Sequence, residues 1–577
     1  MNAFKQFRPY LKPHRALFFG GGLLMMAEAA GEILQPYLLS HMINAGIPNR
    51  DYPTIVRMGI GMILTAAMMM LAQVIGTKLC VRGSMRFGRD VRKAMFKRLQ
   101  HFSFSTIDRY SEPSLVTRLT NDVTLIQNMT LNALRTGLKA PILLILGCIM
   151  AFRMNQSLSV VLIVAMPLLA LTVVGMSLVS FPRFDVMQQG LDRINAAVQE
   201  NLLNVRVVKS FARGNYETKR FTEANEQLKR RGTRAYMLSV SITPIISLIM
   251  NAAIVLILWM GGFKVLGGEL SIGTLSVFAT YVLEILAALT LLGLLIVEST
   301  RAVASFRRIS ELLGEQTEPA GTGEAGEIAQ GKVELRHVSF WYYKERPAPV
   351  LDDISLTVEP GQTFGVIGTT GSGKSTLASL IPRLYEPQEG SILIDGRDIR
   401  AYSREALRRG IGVVPQKNIL FTGTVEDNLR WGDPEADVAA VREAARLSCA
   451  DGFVTGMDQG YQTAVKQGGI NLSGGQKQRL CIARALVRHP KIVILDDSTA
   501  SVDMNTERTI LENLRSMGGG STIILITQKI SSLHYCDRIA VLDRGKLVGL
   551  GTHETLLKTS KAYAEIYASQ ADRGAAS

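Results

Sequence analysis

Long apolar blocks fill the first half of the chain and exclude an ordinary water-soluble core there. They lie at about residues 16–39, 52–76, 138–152, 158–181, 238–263 and 272–297. A helix crossing a bilayer needs about 20 mostly apolar residues, so the pattern predicts six transmembrane helices. The third has the shortest uncharged stretch, bracketed by Lys139 and Arg153. Segments 43–52, 153–157 and 264–271 are short with few basic residues, whereas 78–136, 183–236 and the chain after Arg301 are long and basic. Basic residues collect on the cytoplasmic side of membrane proteins. Both termini are therefore expected in the cytoplasm, in a multi-pass protein of the cell (inner) membrane.

The same asymmetry explains the formal charge of +15: basic residues flank apolar blocks, so no nucleic-acid partner is expected. Lys5, Arg8, Lys12 and Arg15 precede apolar residues 16–27, and Ala27-Glu28-Ala29 follows, which superficially resembles a cleavable signal. Apolar character continues to Leu39, so the stretch reads as a first span, preceded by an amphipathic surface helix over 3–12. Cys80, Cys148, Cys449, Cys481 and Cys536 show no paired spacing, so neither zinc nor a disulfide framework is indicated. Residues 78–100 and 185–231 read as helices continuing out of the membrane, broken near 103–113 and at Gly214.

Ionisable side chains inside spans are costly and point to function or to pairing. Glu28 and Glu32, four residues apart, share one face of the first span, and Glu284 lies within the sixth. Two readings stand: an acidic patch in a water-filled substrate pathway favouring cationic cargo, or carboxylates hydrogen-bonded between helices.

From 315 to 331 the chain is rich in Gly, Glu, Thr and Ala and reads as a linker. Strand-like alternation follows at 333–341 and 354–358. Apolar residues 364–367 then lead into Gly368-Thr369-Thr370-Gly371-Ser372-Gly373-Lys374-Ser375, with helix-like residues from Thr376 to Leu384. This is G-x-x-x-x-G-K-[ST], whose glycines let backbone N–H groups surround phosphate oxygens. Lys374 would reach the β- and γ-phosphates, and the Ser375 hydroxyl would ligate Mg²⁺. Further strand-like runs at 391–394, 411–414, 492–495 and 522–526 predict an α/β P-loop domain. The run 491–496 ends in Asp496, a carboxylate suited to Mg²⁺ opposite Ser375. Leu472-Ser473-Gly474-Gly475-Gln476 opens another helix-like run and forms a second anion-binding terminus. Either both termini hold one nucleotide or each faces a different one.

These three motifs, in this order behind six spans, resemble an ATP-binding-cassette (ABC) exporter of the type IV half-transporter kind. The resemblance implies an α-helical transmembrane bundle over 1–314, a linker at 315–331 and an α/β P-loop nucleotide-binding domain over 332–577. It implies that Tyr342 stacks on adenine, that Gly368 to Thr376 and Ser473 to Gln476 bind ATP, and that Ser375, Gln416 and Asp496 surround Mg²⁺. Gln416 would sense the γ-phosphate and Asp503 would contact a partner. Residues 104–110 and 211–216 look like coupling helices. In such proteins two cassettes dimerise head to tail, each nucleotide lying between one phosphate loop and the other chain's Ser-Gly-Gly turn.

Three positions depart from that pattern. Asp497 stands where the family has a glutamate base, Gln528 where it has histidine, and Gln467 where it has an acidic residue. Aspartate is one methylene shorter than glutamate, and glutamine cannot carry imidazolium charge. The expectation is one half of a heterodimer exporting amphipathic small molecules or drugs. Its own site, with Asp497, Gln528 and Gln416 as catalytic residues, is degenerate, and its signature turn completes a competent site on a non-identical partner. The alternatives are a lipid or lipid-linked substrate flippase, or a homodimeric exporter in which the three changes are neutral.

Overall fold

The computed structural model describes residues 2–315, 317–318, 323, 326–343, 348–499, 501–517 and 520–575. Residues 316, 319–322 and 324–325 of the expected linker lie outside them. Contacts divide the chain into two units, 1–100 with 110–315 and 101–109 with 316–577.

Among the described residues, six helices of the first unit are long and apolar enough to cross a membrane: Lys5–Gly46, Tyr52–Leu99, Glu112–Met154, Gln156–Leu203, Gly214–Leu266 and Ile272–Ile296. The second and fourth run 48 residues each, about 70 Å at 1.5 Å per residue. That is about twice the 30 Å of bilayer hydrocarbon, so these helices extend beyond the membrane. The starts of the second, fourth and sixth helices are capped locally. Asp51 accepts from the Thr54 N–H, Asn155 from Leu158 and Ser271 from Thr274, each satisfying an orphan donor of the first turn.

Among the described residues, apolar clusters join the helices of this unit. Leu158, Leu162, Leu169, Ile257, Phe278 and Ile285 join the fourth, fifth and sixth helices. Ala29, Ile33, Ala140, Leu143 and Tyr281 join the first, third and sixth, where the Tyr281 hydroxyl donates to the Ile33 carbonyl at 2.8 Å. Outside, Ile63, Ile163, Leu171 and Leu178 are 66–71% exposed, a surface suited to lipid rather than water. The N-terminal helix Asn2–Leu11 docks through Phe7, fully buried and edge-on to Phe306 at 4.8 Å.

The first expected coupling segment forms the helix Phe104–Arg109, which belongs to the second unit. The second differs from expectation. Residues 211–213 are a turn, placed between the short helix Val205–Ser210 and the helix starting at Gly214. Ala212 takes a left-handed φ of 51°, which interrupts helical hydrogen bonding there.

The second unit is built on a six-stranded sheet. Its order is Lys546–Gly551, Arg538–Asp543, Thr363–Gly368, Thr522–Ile526, Ile492–Asp496 and Ile411–Val414, parallel except for the first pair. The three middle strands are buried at every residue, as parallel strands covered on both faces must be. A second sheet is antiparallel, ordered Leu351–Val358, Val333–Phe340, Glu389–Ile394 and Arg397–Asp398. The helix after the phosphate loop spans only Lys374–Leu380. It stops short of the expected Leu384 because Pro382 cannot continue it.

Candidate nucleotide site

Strand register brings the chemistry together. Ile526 pairs with both Asp496 and Val366, so three adjacent parallel strands end side by side. The loops leaving them carry Lys374, Asp497 and Gln528 from one sheet edge, where α/β folds place ligands.

The phosphate loop depends on glycine at two kinds of position. Gly371 and Gly373 have φ of 82° and 97°, conformations that side chains disfavour. At Gly368 a Cβ would fall 2.1 Å from the Leu542 carbonyl oxygen, so the backbone passes where only hydrogen fits. Lys374 folds over the loop, donating to the Gly368 and Thr369 carbonyls at 2.8 Å each, with the buried Ser372 hydroxyl 3.5 Å away. Burial pulls its ammonium below the ordinary lysine value, while Asp497 and Asp496 push it back up.

Ser375 donates to Asp496 at 3.1 Å. Burial, reinforced by the neighbouring Asp497, pushes the Asp496 carboxyl above its usual range against the pull of Ser375 and Lys374. A serine hydroxyl beside a buried carboxylate is a pair of hard oxygen donors. It fits Mg²⁺, which takes one or two protein oxygens and completes its shell with water and phosphate. Together these residues line a cleft of about 250 Å³ with Thr370, Gly371, Gly373, Thr376, Gln416, Asp497, Thr527 and Gln528. Asp497 has a φ of 48°, and its N–H donates to the Ile526 carbonyl at 2.8 Å. The Gln528 carbonyl accepts from Gln570 at 2.7 Å.

Tyr342 stands beside this cleft rather than in its lining. Its hydroxyl meets the Thr376 hydroxyl at 3.1 Å, and its ring is 41% exposed. The Ser473-Gly474-Gly475-Gln476 turn is also outside the lining. Ser473 and Gln476 cap one another, the Ser473 hydroxyl accepting from the Gln476 N–H at 3.3 Å and the Gln476 amide oxygen from the Ser473 N–H at 2.9 Å. This reciprocal box opens a 13-residue helix, Gly474–Leu486. Gln467 is exposed at the start of the short turn Gln467–Gly469. Asp503 caps the helix Met504–Arg515, accepting from Thr506 at 3.0 Å.

In the membrane unit Lys139 of the third span donates to Glu28 at 2.7 Å and to Glu32 at 2.6 Å. The two glutamates are therefore paired between helices, the second of the readings open from sequence. Glu284 is not part of that triad, and its Oε2 is buried without a hydrogen-bond partner among the described residues. Glu28, Glu32, Glu284, Gln35, Met62 and Met69 border a cavity of about 520 Å³. Sequence reasoning used Lys139 only to bound a span. The signal was available, because a lysine among apolar residues needs a counter-charge. It also missed Tyr385, which donates to Asp108 of the helix Phe104–Arg109 at 2.6 Å.

Comparison with known proteins matches residues 18–289 to the ABC transporter transmembrane region and residues 351–500 to the ABC transporter family. The ABC transporter ATP-binding protein YfiB of Bacillus subtilis is 38% identical over 98% of both chains. Rv1273c of Mycobacterium tuberculosis, an ABC transporter ATP-binding protein, is 38% identical over 98% of this chain and 97% of its own. A bacterial Atm1-family ABC exporter solved with ATP bound superposes with a TM-score of 0.80 at 26% identity, covering 96% of this chain and 98% of that one. Six apolar helices in front of an α/β ATPase with these loops have one family in common: the chain belongs to the ABC transporters and is an ATP-driven exporter half-transporter, its membrane and ATP-binding regions fused.

Proposed function

We propose that this half-transporter works as the weakly hydrolysing subunit of a heterodimeric exporter. The observation that carries the reading is the presence of Asp497 and Gln528 at the cleft built on Lys374. A general base must come within roughly 2.6–3.2 Å of the proton it takes, and aspartate reaches one methylene less far than glutamate. Gln528 can hydrogen-bond a phosphate oxygen but cannot place a cation beside it. Lys374 and the loop N–H groups still neutralise and orient the triphosphate, and Ser375 and Asp496 would hold Mg²⁺, which shields phosphate charge when bound. The result is a chain that binds ATP well and cleaves it slowly. Its Ser473-Gly474-Gly475 turn, self-capped and with Ser473 and Gly474 exposed, is free to complete the site of a non-identical partner carrying Glu and His.

ATP drives the exporter by binding the closed arrangement of two cassettes more tightly than the open one. We place the cassette and both termini in the cytoplasm, from the basic flanks of the spans. For cargo we propose amphipathic small molecules, drugs among them. The cavity beside Glu284 supplies apolar wall from methionines and one carboxylate outside the Lys139 triad, which favours a cationic head.

The test is ATPase activity of the purified chain in lipid nanodiscs, alone and with its partner half. Low turnover alone, restored by a partner bearing Glu and His, supports the reading; vigorous turnover as a homodimer overturns it. Uptake of tetraphenylphosphonium into inverted vesicles, lost in Glu284→Gln, tests the cargo class; movement of a lipid probe instead points to a flippase.

A further inference from the structure

The loop after Asp497 and the segment after Gln528 are joined by a buried carboxylate from a third element. Glu507, on the helix Met504–Arg515, is 4% exposed. Its Oε1 accepts from the Thr499 hydroxyl at 2.6 Å and from the Ser532 hydroxyl at 2.6 Å. Thr499 lies two residues after Asp497, and Ser532 four residues after Gln528. Both are buried. The Lys529 ammonium stands 3.5 Å from the other carboxylate oxygen. Hydrogen bonds to an ionised acceptor are shorter and stronger than neutral ones, and buried hydroxyls that lose their acceptor have no water to turn to.

The same loop is held on its other side. Gln478, 2% exposed on the helix Gly474–Leu486, donates to the Asp497 carbonyl at 3.4 Å and accepts from the Ser501 N–H at 2.9 Å. With Gln478 fixing the loop to the signature helix, Glu507 fixes it to the Gln528 segment. Glu507 does not line the nucleotide cleft, so its influence on ATP passes through those two attachments.

We propose that Glu507 is a positioning residue for ATP hydrolysis. It locks the Asp497 loop to the Gln528 segment, so that base and γ-phosphate contact keep a fixed spacing across the cleft. Cleavage then depends on Glu507 while ATP affinity, set by the phosphate loop, does not. The inference rests on the ATPase fold and not on the weak-site reading.

The test uses the full chain in nanodiscs with Mg²⁺-ATP as probe. Single-turnover cleavage, equilibrium ATP binding and hydrogen–deuterium exchange are compared for Glu507→Ala, Glu507→Gln, Thr499→Val and Ser532→Ala. Glu507→Ala should slow cleavage about ten- to a hundredfold, the scale expected of a small misplacement at a reacting centre. Its ATP dissociation constant should stay within about twofold, and amide exchange over 527–533 should rise. Glu507→Gln keeps an oxygen acceptor for both hydroxyls and should retain most of the rate. Wild-type cleavage in Glu507→Ala overturns the proposal, as does a rate loss matched by equal losses of affinity and thermal stability. Should Glu507→Ala fail to fold, the hydroxyl variants decide: slowed cleavage supports it and wild-type rates in both overturn it. Every outcome is a ratio to the unmodified chain. An unexpectedly fast chain would therefore sink the weak-site reading and leave this one standing.

Discussion

Ser375 donates its hydroxyl to Asp496 across 3.1 Å, tying the helix of the phosphate loop to the end of a neighbouring strand. The pair is suited to a cation, yet the carboxylate is held in a place that disfavours its own charge. Asp496→Asn should therefore do two opposite things. It should reduce Mg²⁺-dependent ATP cleavage by about a hundredfold, the scale of losing about 3 kcal/mol of charge stabilisation. It should also raise the thermal midpoint of the cassette at neutral pH by a few degrees. The folded carboxyl is raised above 3.8, so its stabilising protonated form is fully present below that pH and is lost as pH rises through the folded value. The stability gain of Asp496→Asn should accordingly vanish near pH 4, which calorimetry against pH would show. An equal gain at all pH values would assign it to packing instead.

Asp497→Glu combined with Gln528→His tests the weak-site proposal by supplying a longer carboxylate and an imidazole at the same cleft. Turnover of the purified chain should rise by tenfold or more, since a placed general base contributes about 10²–10⁴-fold. Each single change should give less than the pair. A steady-state ATPase assay in nanodiscs checks this, and no increase in the double variant would mean that something other than these two side chains limits cleavage.

The motifs of the candidate cleft, and the separate self-capped turn, were legible in the sequence because each is local. A glycine run, an Asp-terminated apolar strand and a Ser-Gly-Gly helix start each declare themselves within eight residues. The spans were legible for the same reason, since length and apolarity are local properties. Pairings across the chain were not. Lys139 meets Glu28 from 111 residues away and Tyr385 meets Asp108 from 277, and periodicity says nothing of such partners. Nothing local in the sequence marks Glu507, because its partners Thr499 and Ser532 converge on it only after two strands and a helix have packed. The second coupling segment failed differently. A helix break was readable at Gly214, but the side of it on which the short helix forms was not.

Tyr385 offers a test of the helix Phe104–Arg109. Burial, and then the bond to Asp108, push its phenol above the ordinary tyrosine value, so it stays a donor throughout the working pH range. Tyr385→Phe removes only that hydroxyl, at a cost of about 1–3 kcal/mol for a hydrogen bond to a charged acceptor. If the helix transmits cassette movement, as the coupling role implies, basal ATP cleavage in detergent should remain within about twofold. The change in turnover on transfer to nanodiscs should shrink. Unaltered bilayer dependence would show that transmission does not need this bond.

The Lys139 triad makes the sharpest stability prediction. Glu28 has a side chain 5% exposed, whereas Glu32 and Lys139 are 28% and 24% exposed, so the inner pair carries most of the cost of separation. Removing one partner of a buried ion pair leaves an uncompensated charge, at about 3–5 kcal/mol, while replacing the whole group by apolar or neutral residues is often harmless. Lys139→Met should therefore lower the unfolding temperature of the membrane unit in detergent. Glu28→Gln and Glu32→Gln added to it should restore most of the loss. The same triple variant separates structure from function. If the triad only joins the first and third spans, it will move cargo as the unmodified chain does, and Glu284→Gln alone will not. Loss of transport in the triple variant at full stability would instead put Glu28 or Glu32 in contact with the cargo itself.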